Sequence, residues 1–145
     1  MTELEAYHEL CGYTLALGDP AFIHQHVVDA FAAQTADEQT KPIKLTFALI
    51  GLHLHVDRLF TGKEVQRAHQ HLARAKRAWP SFGLPSERGT IRAAEVLNAP
   101  AGSERDDLIH AWCAAVWSPF RDEGDTARVV ASLCADLPHL SRAHP

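Results

Sequence analysis

Three stretches of this chain carry a His-x-His pair: His24/His26, His53/His55 and His69/His71. Histidine titrates near neutrality and is the commonest transition-metal ligand, so the pattern raises the question of a metal centre. Within a helix the two rings of such a pair point about 200° apart, and unlike His-x-x-x-His they cannot hold one ion from a single helix. Each stretch can therefore offer one histidine to a shared centre.

The segments that must position these rings read as helices. Leu4 to Leu17 has apolar residues at helical spacing and stops at Gly18. Asp19-Pro20 is a start signal, with Pro20 at a first-turn position that needs no amide, and the second helix runs to about Thr35. Thr40-Lys41-Pro42 opens a third, whose stripe of Leu45, Ala48, Leu49, Leu52, Val56 and Leu59/Phe60 is the strongest helical period in the sequence. Thr61-x-x-Glu64 is a capping box, so a fourth helix starts at once and extends through Trp79 to Pro80. A loop over 81–89 follows, then a short helix from Thr90 to Ala99, a sixth from Ser103 to Ser118-Pro119, and a last one from Asp125 to Asp136. Pro138 to Pro145 reads as a frayed tail. The predicted fold is all-α: an antiparallel bundle of four main helices with two or three additional C-terminal helices, in one domain over 1–145.

Folding the second and third helices back about residues 38 and 39, and the third and fourth about Thr61, puts His24, His53 and His69 at one height. Cys11 comes close to that height and His8 near Asp29 when the first helix folds back at Gly18. On a helical wheel each of the three histidines sits about 60° to 80° from the centre of its apolar stripe, so two can converge more readily than three. The candidate metal set is therefore His24, His53 and His69, completed by Cys11, His8 or Asp29, with zinc or nickel as the ion and no organic cofactor expected. The alternative is that these rings sit at helix edges and bond to backbone or carboxylates, as His53 with Asp57 four residues on can do. His8 and Cys11, three apart, are weaker as a base and nucleophile. Trp112 and Trp117 read as core anchors.

The formal charge of −4 offers no basic surface for nucleic acid. No run reaches the roughly 18 apolar residues that span a bilayer, and Met1-Thr2-Glu3-Leu4-Glu5 is acidic where a signal peptide is basic, so the chain is expected in the cytoplasm. Its three cysteines, Cys11, Cys113 and Cys134, have no C-x-x-C spacing and suit reduced thiols.

Tyr7-His8-Glu9-Leu10, Asp19-Pro20-Ala21-Phe22, His24, Val28-Asp29-Ala30-Phe31 with Gln34, Thr90-Ile91, Val96-Leu97 and Trp112 with Val116-Trp117 together resemble a bacterial family known only as a domain of unknown function. The resemblance implies the helical fold and the intracellular location, and maps a recurring histidine to His24. Longer members of that family carry an N-terminal zinc-type cysteine cluster that this chain lacks. Two functional expectations follow: a metal-binding bundle acting as a hydrolase or transferase on a small molecule, or a metal-free interaction or homodimerisation module.

Overall fold

In the computed structural model, which describes residues 1–137, local chemistry sets most helix ends. α1 (Glu3–Leu17) begins with a capping box: the Glu5 amide donates to Thr2 Oγ1 at 3.1 Å and the Thr2 amide to Glu5 Oε1 at 2.8 Å. It ends at Gly18, whose φ of 57° is the left-handed cap that glycine adopts without strain. α2 (His24–Gln34) starts later than Asp19-Pro20 suggests, because Phe22 takes a φ of 55° and interrupts the turn; the Asp19 carboxylate still accepts from the Ile23 amide at 2.9 Å.

α3 (Pro42–Leu52) has proline in its first turn as expected, but it does not run on as an α-helix to Phe60. Residues His53–Asp57 form a π-turn, and Leu59 closes it with a φ of 61°. α4 (Gly62–Leu72) opens on the Thr61/Glu64 capping box with bonds of 3.2 and 2.9 Å, then stops seven residues short of Trp79. The residues beyond Leu72 are good helix formers, but propensity yields to a tertiary contact: Trp79 sits edge-on to Phe47, ring centroids 5.2 Å apart.

α5 (Ala93–Asn98), α6 (Ser103–Arg121) and α7 (Thr126–Cys134) complete an all-helical chain with no strand among the described residues. α6 continues through Pro119 rather than ending there. The missing proline amide frees the Ala115 carbonyl, and Gly89 (φ 86°) lies so close that a Cβ there would stand 2.8 Å from that oxygen. Burial of Phe120 and an ion pair from Arg121 hold the extra turn. α2 packs on α1, α3, α4 and α6, and α3 also contacts α7. Trp112, Trp117, Phe120, Leu10, Leu49 and Ile50 are all fully buried, so the two tryptophans are core anchors as expected. The tail 138–145 lies outside the described residues.

Gln34 is the polar knot of this core. Its amide nitrogen donates to the Ile91 and Arg88 carbonyls at 2.8 and 3.2 Å, and its oxygen accepts from Trp112 Nε1 at 3.0 Å. Arg88 returns the tie by donating to the Ala33, Gln34 and Ala36 carbonyls, where a cation complements the end of α2. Gln34→Leu fills similar volume but strands the buried indole N–H, so it is expected to cost about 2 kcal/mol in urea unfolding at unchanged m-value.

Candidate metal centre

The π-turn decides which histidines meet. An i→i+5 turn holds more residues per revolution than an α-turn, so faces extrapolated along α3 no longer hold beyond Leu52. His53 points to Asp57, with Nδ1 2.8 Å from Oδ2, and His55 turns the other way onto α2 and α6. There His55 meets His26 of α2 and His110 of α6, and one ring nitrogen of each lies within 4.8 Å of the other two.

The His26 and His55 rings stack with centroids 3.6 Å apart, and His55 Nε2 is 2.9 Å from His110 Nδ1. His55 Nδ1 donates to the Phe60 carbonyl at 3.0 Å, which leaves its Nε2 as a lone pair. Leu59 brings that carbonyl round: its left-handed φ lets the Phe60 amide reach back to the Leu54 carbonyl at 2.9 Å. Without an ion, the 2.9 Å contact is a hydrogen bond in which His110 Nδ1 donates to His55 Nε2. A tetrahedral ion bound at ordinary Zn–N lengths of about 2.0 to 2.1 Å needs ligand nitrogens about 3.3 Å apart. Bringing His55 Nε2 and His110 Nδ1 to that spacing takes an opening of a few tenths of an ångström, which His110 on the exposed rim can make, while the stacked His26 ring must turn to aim its own lone pair at the ion.

Burial tunes the donors. His26 is 3% exposed, and burial, then repulsion from His55 and His110, holds its pKa down at about 2. Burial also lowers His55, against the opposing effect of the Phe60 carbonyl. Both rings are therefore neutral at neutral pH, the state a metal ligand requires. The Cys113 thiol, one turn along α6 from His110, donates to the His26 carbonyl at 3.5 Å; burial pushes its pKa up and keeps it a donor. A cavity of about 260 Å³ opens beside the three rings, with Asp19 and Asp106 on its wall and Leu59 and Phe60 at its lip.

The residues singled out by hairpin geometry occupy separate places. His24 Nδ1 bonds to Thr14 Oγ1 at 2.9 Å, facing α1, and His53 bonds to Asp57. His69 Nε2 donates to the Phe47 carbonyl at 2.8 Å. Cys11 is half-buried on α1, its thiol pKa raised by burial. Asp29 is wholly inside, with Oδ1 accepting from Gln25 at 3.1 Å and Oδ2 without a partner among the described residues. The structure does not gather these five into one centre: the π-turn exchanges His53 for His55, and the first pair contributes His26 rather than His24. His26 was accessible to pattern reading, three residues after Ile23 and four before Ala30 in the apolar stripe. His110, alone on α6, gave no spacing signal.

Asp29 is instead a buried acid. Gly51 makes room for its carboxyl, since a Cβ at 51 would collide with Oδ2, and burial raises its pKa well above the usual range. A folded carboxyl that holds its proton more tightly than the unfolded one, at about 3.9, adds stability at low pH that is lost as pH rises through the folded value. Asp29→Asn removes that dependence. Urea unfolding of both proteins at pH 5, 6, 7 and 8 should show the variant gaining on the wild type as pH rises toward the folded value; a constant difference throughout would mean that Asp29 titrates normally.

No curated protein and no solved structure matches the chain. A family of unknown function, DUF5946, matches it over residues 4–121, which takes in all three converging histidines and the walls of their cavity. The chain belongs to that family of unknown function.

Proposed function

We propose that this protein binds a divalent transition metal, zinc or nickel, through His26, His55 and His110, and uses the position left open toward the cavity for hydrolytic or transfer chemistry. The observation that carries the reading is the meeting of three imidazole nitrogens within 4.8 Å from three different elements. One of those rings has its tautomer pinned by the Phe60 carbonyl and another is kept neutral by burial. Three imidazole nitrogens with a fourth position facing a cavity is the arrangement in which a metal ion lowers the pKa of bound water to about 7 or polarises a carbonyl. Leu59, with left-handed backbone, lines the same cavity, and strain of this kind concentrates at functional sites. The three cysteines are free thiols, in keeping with a reducing compartment such as the cytoplasm.

Elemental analysis of protein purified without a nickel column should find close to one equivalent of metal. The ion should raise the melting temperature, because a ligand present at about 100 times its Kd stabilises the folded state by about 2.7 kcal/mol. Replacing His55 or His110 by alanine should weaken binding at least tenfold, whereas His24→Ala and His69→Ala should leave the metal content unchanged. His110 is exposed, so its variant tests the ligand without disturbing the core. Metal-free wild type with no thermal response to zinc, nickel, iron or manganese would refute the reading.

A further inference from the structure

Among the described residues, the wall of the cavity beside the three histidines carries two carboxylates and no lysine or arginine. Asp106 stands one turn before His110 on the same face of α6, and Tyr13 of α1 fixes it by donating its hydroxyl to Oδ1 at 2.8 Å. The second oxygen remains available. Asp19 is fixed similarly, one oxygen accepting the Ile23 amide. Neither belongs to the group whose ligand atoms lie within 4.8 Å of one another, so both shape the cavity rather than join the donor set.

The nearby cations are committed elsewhere. Arg105 stacks on the Tyr13 ring at 4.5 Å and donates to the Leu97 and Ala99 carbonyls. Lys63 donates to Gln66, and Arg58 lies over the Phe60 ring while its charge acts on Cys134 toward α7. A phosphate or carboxylate entering this space would meet two negative charges and no basic side chain of the described wall. A group with N–H or O–H donors would meet two fixed acceptors, Thr61, and an apolar lip.

We infer that the site takes a small uncharged or cationic molecule presenting N–H or O–H donors, such as an amine, amide or alcohol, in preference to oxoanions, which only the bound ion would attract. The inference rests on the three-histidine metal reading. About 260 Å³, at roughly 30 Å³ per water-sized group, holds about eight heavy atoms.

The test uses the full chain loaded with cobalt(II), whose visible absorption reports on whatever enters the open position. Wild type, Asp106→Asn and Asp107→Asn are each titrated with azide, an anion, and with imidazole, a neutral ligand. The carboxamide introduced by Asp106→Asn keeps an oxygen for the Tyr13 hydroxyl, and Asp107 is an exposed carboxylate outside the cavity, which controls for net charge. Removing the Asp106 charge should tighten azide binding about tenfold, while imidazole, whose N–H loses an acceptor, binds no more tightly and Asp107→Asn alters neither. Azide affinity unchanged in Asp106→Asn overturns the substrate class. If cobalt uptake is still lost in His110→Ala, that result leaves the metal centre standing. A wild type that takes up no cobalt at all fells the metal reading, and this inference with it.

Discussion

Asp57 ends the π-turn, and its carboxylate gathers three donors: His53 Nδ1 at 2.8 Å and Trp117 Nε1 at 2.8 Å on Oδ2, and Arg121 Nη1 at 2.9 Å on Oδ1. Two of the three come from α6, so the acid bolts the end of the π-turn to the helix that supplies His110. At a partly exposed site the single Arg121 ion pair is worth little alone, but a carboxylate filled by an indole, an imidazole and a guanidinium fixes direction. His55 stands two residues before Asp57, and Trp117 stands seven after His110, about two helical turns along the same face. The distance between the two histidine rings is therefore set by a bond made elsewhere.

That face of α6 explains why the site is where it is. Asp106, His110, Cys113 and Trp117 follow one another at spacings of four, three and four, one stripe of a helix. Each serves the same region: a carboxylate on the cavity wall, a ring at its edge, a thiol on the His26 carbonyl and an indole on Asp57. The helix that fills the core with Trp112 and Ile109 thus aligns the site with a neighbouring stripe. Cys113 and Trp117 are themselves fully buried, so this stripe serves the core and the site together.

The parts of this plan legible in the sequence are those with short-range causes. The Thr61/Glu64 capping box, the Gly18 cap and the anchoring tryptophans can be read from residue type and spacing, because the atoms that satisfy them lie within a turn. The halving of each His-x-His pair also follows from helical period alone, and the two pairs that reach the centre each send one ring. What the period cannot supply is phase across an interruption. The π-turn depends on Asp57 finding Trp117 sixty residues on, and α4 stops at Leu72 because Trp79 meets Phe47. Pro119 remains helical because Gly89 accommodates the freed carbonyl. Each of these is a long-range contact overriding a local rule, and the π-turn is the one that reaches the site, because beyond it His55 rather than His53 faces His26 and His110.

Two further features run against local preference: Leu59 lines the cavity, and Phe22 stands between two of its lining residues, Ala21 and Ile23. Phe22 and Leu59 hold left-handed backbone, a conformation that costs a residue with a side chain about 1 to 2 kcal/mol. Neither is an accident of a loose loop. The Phe22 carbonyl lies so near Gly62 that only glycine fits there, and the Lys63 amide donates to the Ala21 carbonyl at 2.9 Å, which locks the start of α4 onto the turn before α2. Leu59 is held by the π-turn it closes, although 71% of its surface is exposed and it gains little from burial. Helix packing alone would accept an ordinary turn at either place. The Leu59 geometry closes the Phe60 amide onto the Leu54 carbonyl and aims the Phe60 carbonyl at His55 Nδ1. In an all-helical chain with a continuous core, the strain is tolerated where it fixes the lone pair of an imidazole.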